Sequence, residues 1–222
     1  MADELYVLSL DCERTGQNVP SGPDGALRAG PITAIGCAVG RFNSHGGLTF
    51  VPGFDLQLSF APAASDYDAD THAWWHRPEN IDSHDFLIAQ ANCKDERDML
   101  RQFWDYWRRV TTEYPGIVVV SDCVAFDVGY LHTRALTLLD PLALPLTHQP
   151  QADGTTRFVN TFDAGTLEKL ARAKCGQPAI DAIYEIAPVK HTHKPLDDAI
   201  NTLYMMEGCA RLLGVSIVQI KK

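Results

Sequence analysis

Leu5-Tyr6-Val7-Leu8-Ser9-Leu10 is apolar along its length and runs directly into Asp11-Cys12-Glu13-Arg14-Thr15-Gly16. A run with no polar face reads as a central strand covered on both sides, as in an α/β sheet. On an extended backbone residues i and i+2 share a face, so Asp11 and Glu13 converge at the strand's carboxyl end. Two unpaired carboxylates there repel and raise each other's pKa, and a divalent cation removes the conflict. By itself the pair also reads as an N-capping Asp beside a solvated Glu.

Outward from this strand, the Gly/Pro-rich stretch Gly16–Pro31 reads as a surface loop and Ile32–Phe42 as a second strand. After a Gly46-Gly47 turn, Phe54–Phe60 alternates strictly, the mark of a half-buried strand. These three segments suggest an antiparallel meander. The period then becomes helical: Met99, Leu100, Phe103, Trp107 and Val110 form one stripe, ended by Pro115-Gly116. Ile117–Ser121 is another all-apolar strand, and Phe126, Tyr130, Leu131, Ala135 and Leu138 form the next helical stripe. A short strand at Phe158–Thr161 and a helix through Leu167, Leu170, Ala171 and Lys174 follow, with Gly176 as its cap. The last helix spans Pro195 to Leu213 and stops at Gly214. A meander followed by alternating strands and helices predicts a single α/β domain over residues 1–222, with one mixed five-stranded sheet flanked by helices.

Two further acidic elements stand at such junctions. Asp127 follows the second apolar strand at a helix start, where sites form in open α/β sheets, although a plain dipole partner reads there too. In His191-Thr192-His193-Lys194-Pro195-Leu196-Asp197-Asp198, Pro195 suits the first helical turn. That leaves His193 in the preceding loop, able to act as a general base beside a fixed Asp198. Asp197 is explained by the helix dipole.

The ordered set of Asp11-Cys12-Glu13-Arg14-Thr15-Gly16, Phe126-Asp127 with Leu131, and His193-Lys194-Pro195-Leu196-Asp197-Asp198-Ala199 resembles the DEDDh 3′–5′ exonucleases of the ribonuclease H-like superfamily. The resemblance covers roughly residues 5 to 206, and Asn160-Thr161-Phe162-Asp163 looks like the family's strand-to-helix junction. It implies a two-metal phosphodiesterase. Asp11, Glu13 and Asp198 would hold one Mg²⁺ or Mn²⁺, Asp11 would bridge to the second, Asp127 would support that one, and His193 would take the proton of the attacking water. Thr15, Gly16 and Phe126 match positions near the terminal nucleotide. The sequence departs from the pattern at Asp122, where an Asn is usual, and at Arg14 and Pro195. Thr71-His72-Ala73-Trp74-Trp75 looks like the T-x-x-W-W segment of bacterial and phage exoribonucleases in this family. Trp75 could stack on an unpaired base or pack in the core.

The resemblance therefore implies release of nucleoside 5′-monophosphates from the 3′ end of single-stranded or short RNA. The alternatives are a DNA-trimming exonuclease, an endonuclease of the same superfamily, or a silent module that binds partners or nucleic acid. Relatives often form homodimers. Composition fits: 19 Lys+Arg against 28 Asp+Glu give −9, which excludes a broad basic surface for long duplexes. No apolar run approaches a membrane span, and the acidic N-terminus lacks a secretory pattern. Six scattered cysteines without a C-x-x-C pair, four of them in apolar runs, point to reduced core thiols and a cytoplasmic setting. His72 and His76 lack the Glu of a zincin motif. The Arg97–Arg109 set reads as a solvated helix face, with phosphate steering as its alternative, and Lys190, His191 and Lys194 flank the proposed base.

Overall fold

A computed structural model describes residues 4–16, 19–20, 27–28, 30–139, 148–150, 156–158 and 160–217. The long strand β1 (Leu5–Arg14) pairs antiparallel with β4 (Ile32–Phe42), from Leu5 opposite Phe42 to Glu13 opposite Ala34. The ladder shifts register between Glu13 and Arg14, a bulge that re-aims the chain beside the acidic pair. Within the expected Gly16–Pro31 loop, β2 (Val19–Pro20) and β3 (Leu27–Arg28) form a small ribbon, and residues 17–18, 21–26 and 29 lie outside the described residues.

The strand expected over Phe54–Phe60 is present as β6 (Leu56–Ser59), and a further strand, β5 (Leu48–Phe50), precedes it. Both β5 and β6 pair antiparallel with β4, at Gly40–Phe42 and at Ala34–Cys37. Between them the chain turns at Gly53, whose φ of 79° is left-handed, and the edge is cut in half there. The sheet is therefore six-stranded rather than five-stranded, in the order β10-β7-β1-β4-β5 with β6 also on β4.

Three helices, α1 (Ala69–Trp75), α2 (Ile81–Ala89) and α3 (Glu96–Glu113), precede β7 (Val118–Ser121), which runs parallel to β1. After α4 (Asp127–Leu138) comes a ribbon of β8 (His148–Pro150) and β9 (Thr156–Phe158). The strand expected at Phe158–Thr161 is thus divided: Phe158 ends the ribbon, Val159 lies outside the described residues, and the sheet strand β10 spans Thr161–Asp163 beside β7. Helices α5 (Ala164–Cys175), α6 (Gln177–Ile186) and α7 (Pro195–Leu213) complete the chain, the last with the predicted bounds and a left-handed Gly214.

Alternation along β1 divides the core. Leu8, Leu10 and Cys12 pack with Met99, Phe103, Trp107 and Leu131, whereas Leu5 and Val7 pack with Leu167, Ile180, Leu203 and Met206. Each such side chain, when fully buried, contributes roughly 1.5–3 kcal/mol. The odd-numbered face, which carries Asp11 and Glu13, is the one α7 covers. Cys12, Cys37 and Cys209 are buried, one fewer than the apolar runs suggest, and all six thiols are free. Among the described residues no helix is long and apolar enough to cross a membrane.

Candidate active site

The site depends on how closely α7 lies on the sheet. Cross-strand neighbours share a face, and opposite Glu13, Asp11, Ser9 and Val7 stand Ala34, Gly36, Ala38 and Gly40. This stripe of small residues leaves room for the helix. A Cβ at Gly36 would lie 1.9 Å from the Pro195 carbonyl carbon and 2.1 Å from the Leu196 nitrogen. On the far side of Gly36 the row continues to Gln57, whose Oε1 accepts the Leu196 N–H at 3.1 Å. One of the free amides of the first turn is capped in this way, with Pro195 supplying none.

Asp198, 3% exposed, is thereby carried to β1. Asp11, Glu13 and Asp198 each offer a carboxylate oxygen, all within 4.8 Å of one another, and Asp11 belongs to a second such group with Asp122 and Asp127. Asp127 Oδ1 accepts the Cys12 N–H at 3.1 Å, which ties the start of α4 to β1. The Asp122 loop is pinned from α5: Gly165 N–H donates to Asp122 O at 3.1 Å, and Asp163 Oδ2 accepts the Val124 N–H at 3.3 Å. The residue that breaks the family pattern thus joins the acidic cluster. Asp122 follows β7 rather than lying within it, so strand alternation gives no signal for it, unlike Asp11 inside β1.

The carboxyls of Asp11, Glu13, Asp127 and Asp122 are held above the ordinary carboxylate range. For Asp11 the largest cause is burial, followed by the charges of Asp127, Glu13, Asp198 and Asp122. Burial leads for Glu13, Asp127 and Asp122 as well. Oδ2 of Asp11 and Oδ2 of Asp198 are buried without a hydrogen-bond donor. Among the described residues no Lys or Arg forms an ion pair with the cluster; only His191 and His193 approach it. An all-oxygen donor set with unspent buried lone pairs fits a hard divalent cation such as Mg²⁺ or Mn²⁺.

His193 stands at the edge of the cluster, its Nδ1 3.8 Å from Glu13 Oε1. Among the described residues it is the non-glycine with a left-handed backbone, φ 55°. Such strain persists only where the surroundings impose it. Here the Ser83 hydroxyl donates to Thr192 O, the Thr192 N–H donates to Asp198 Oδ1 at 2.8 Å, and Trp74 packs edge-on at 4.7 Å between ring centroids. Burial and the neighbouring His191 push the His193 pKa below its ordinary value.

A cleft of 410 Å³ opens beside Glu13 and His193, walled by Arg14, Gly16, Trp74, Arg77 and Phe126. Trp75 also lines it but is 2% exposed and packs with Ala34 and Leu87, whereas Trp74 is half-buried and the more open of the two. The Arg14 guanidinium lies over Phe126 at 3.8 Å and Tyr130 at 4.8 Å. Thr15 is fully buried, its N–H spent on Pro31 O and its carbonyl on Asp68 N–H. Gly16 lies close against Asp68, where a Cβ would meet Oδ2 at 2.0 Å. Lys190 is spent on the last carbonyls of α6 and Lys194 lies over Phe86, while Arg97, Arg101, Arg108 and Arg109 are exposed along α3.

Along 96% of its length the chain superposes on cell-death related nuclease 4 (CRN-4), with a TM-score of 0.53, 11% sequence identity and coverage of 64% of that protein. The two chains share a fold. It is the ribonuclease H-like arrangement, a mixed sheet with helices on both faces. No family model matches the sequence. No curated protein matches it either.

Proposed function

We propose that the chain is a metal-dependent 3′–5′ exonuclease releasing nucleoside 5′-monophosphates from single-stranded or short RNA. The observation that carries this reading is the pair of carboxylate groups that share Asp11, one with Glu13 and Asp198 and one with Asp122 and Asp127. Asp11, Glu13 and Asp198 would hold one Mg²⁺ or Mn²⁺, and Asp11, Asp127 and Asp122 the other. When bound, such a pair supplies an activated water and neutralises charge on the attacking and leaving oxygens.

The chain's own residues do the rest. His193, kept neutral by burial and by His191, accepts the proton of the attacking water. Arg14, flat on Phe126, presents its guanidinium edge to a substrate phosphate. Trp74, not Trp75, offers a ring on which the terminal base stacks, worth roughly 1–3 kcal/mol. His193 sits with its Nδ1 3.8 Å from Glu13 Oε1 and its ring edge-on to Trp74, two residues that line the cleft. The choice of RNA over DNA rests on the T-x-x-W-W segment.

The test uses 5′-labelled single-stranded RNA and DNA of matched sequence with Mg²⁺, Mn²⁺ or EDTA. A ladder shortening from the 3′ end one nucleotide at a time, absent in EDTA and faster on RNA, is expected. A faster DNA ladder reassigns the substrate, internal cuts point to an endonuclease, and no cleavage in either metal leaves a binding module.

A further inference from the structure

One aspartate belongs to two donor sets. Asp198 groups with Asp11 and Glu13, all oxygen, and also with His191 and His193, whose ring nitrogens lie within 4.8 Å of it and of each other. His191 Nδ1 stands 3.2 Å from Asp198 Oδ1. A tetrahedral ion with bonds of about 2.0–2.1 Å needs ligand atoms roughly 3.3 Å apart, so this edge already has the required length. The two imidazoles are 4.4 Å apart between centroids and inclined at 79°, edge to face rather than stacked. Asp198 is 3% exposed and its Oδ2 has no donor. The loop is not free to disperse these groups, since Ser83 and Asp198 hold Thr192 on both its backbone polar groups and the next residue, His193, is left-handed. His191 itself is half exposed, with 51% of its side chain open to solvent, which gives an entering ion a path.

We propose that His191, His193 and Asp198 form a second cation site, selective for Zn²⁺-class ions, whose occupation silences the carboxylate site with which it shares Asp198. Two nitrogens and one oxygen suit Zn²⁺, whereas the oxygen set suits Mg²⁺ or Mn²⁺. An ion held on the histidine side withdraws both the shared ligand and the proposed base. The binding half stands on geometry alone; the silencing half rests on the exonuclease reading.

Metal-free protein titrated with Co²⁺, the spectroscopic substitute for Zn²⁺, should develop the intense visible absorption of four-coordinate cobalt. Zn²⁺ should displace it at stoichiometric concentration, whereas Mg²⁺ should compete only at far higher concentration, through the shared Asp198. His191→Ala should weaken Co²⁺ binding more than about tenfold, since even outer-sphere partners of a metal ligand cost roughly 10–100-fold. Glu13→Gln should retain the absorption. A weak six-coordinate spectrum in the wild type, or unchanged affinity in His191→Ala, would mean an ordinary His191–Asp198 ion pair and would overturn the site. Silencing is read separately, in fixed Mg²⁺ with labelled RNA. Zn²⁺ should slow the wild type, and His191→Ala, relative to its own Mg²⁺ rate, should need at least about tenfold more Zn²⁺ for the same fractional loss. Equal sensitivity overturns the silencing. Cobalt binding through His191 in a chain that cleaves nothing upholds the site and removes the exonuclease reading instead.

Discussion

Asp11 stands directly opposite Gly36 in the β1–β4 ladder, and the side chain that Gly36 lacks is what lets the first turn of α7 rest on the strands. A methyl group there would lie 1.9 Å from the Pro195 carbonyl carbon, so Gly36→Ala has to lift the helix. Overpacking of this kind costs typically about 1–3 kcal/mol. The larger effect falls on Asp198, because a misplacement of ~1 Å in a preorganised site costs on the order of 10²-fold in rate. Gly36→Ala should remain folded by circular dichroism, with a lower Tm, and should lose most Mn²⁺ affinity by calorimetry. Wild-type Mn²⁺ affinity in that variant would mean that the helix contact does not position the ligand.

Burial and mutual repulsion raise the carboxyls of Asp11, Glu13, Asp127 and Asp122. A carboxyl whose folded pKa exceeds its unfolded value contributes stability that is complete below the ordinary range and is lost as pH rises through the raised value. The metal-free protein should therefore lose stability as pH climbs from about 4, the ordinary carboxylate range, toward neutrality. The histidines work in opposite senses: His191, raised chiefly by its bond to Asp198, adds to that loss, and His193, lowered by burial, offsets part of it. The rise in Tm given by Mn²⁺ should grow over the same pH interval, because the cation replaces the protons. A Tm gain independent of pH would show that the ion binds elsewhere.

Asp11→Asn removes one charge from this crowd without changing its shape. Its metal-free form should melt higher than the wild type, and it should lose both the Mn²⁺-induced shift and all turnover. A variant that melts lower than the wild type without metal would contradict the repulsion that defines the cluster.

The tandem tryptophans separate by their surroundings. Trp75, 2% exposed against Ala34 and Leu87, should cost about 3–5 kcal/mol when truncated to Ala. Half-buried Trp74 should cost little stability but weaken single-stranded RNA binding by roughly 1–3 kcal/mol if a base stacks on it. Urea melts and fluorescence-anisotropy titrations read the two effects, and the reverse pattern would exchange the roles.

His193 carries strain as well as chemistry. His193→Gly accepts the φ of 55° freely, whereas His193→Ala does not, so the glycine variant should be the more stable by about 1 kcal/mol. Both should keep Mn²⁺ binding at the carboxylates and lose turnover by roughly 10²–10⁴-fold, as for a removed general base. Equal stability of the two would indicate that the loop relaxes once the imidazole is gone.

Much of this was legible in the sequence, for physical reasons that also explain the rest. The i, i+2 spacing of Asp11 and Glu13 on an apolar strand, and Pro195 with Gly214 bracketing the last helix, are local signals, and both hold in the structure. The additional strand β5 is not local in this sense. The alternation of Phe54–Phe60 reports a half-buried edge, but whether Leu48–Phe50 also pairs depends on β4 running on to Gly40–Phe42, past the stretch that β6 covers. Asp122 lies past the end of β7, where alternation no longer says which way a side chain points; its loop is set by Asp163 and Gly165, more than 40 residues later by number for the glycine. The small stripe Ala34, Gly36, Ala38, Gly40 is plain in the sequence, yet its meaning emerges only once α7 is known to lie on it. Nothing in the T-x-x-W-W segment distinguishes which tryptophan is the more open, because that is decided by Ala34 and Leu87 from other elements.

The most direct measurement follows the first product from RNA labelled at its 3′-terminal nucleotide, with wild type and Asp11→Asn compared in Mg²⁺ and in EDTA. The account predicts that wild-type protein in Mg²⁺ releases labelled nucleoside 5′-monophosphate from the first turnover, and that EDTA or Asp11→Asn abolishes the release. Release that survives in EDTA or in Asp11→Asn, or label leaving as an oligonucleotide, would contradict a carboxylate-held metal centre acting at the 3′ end.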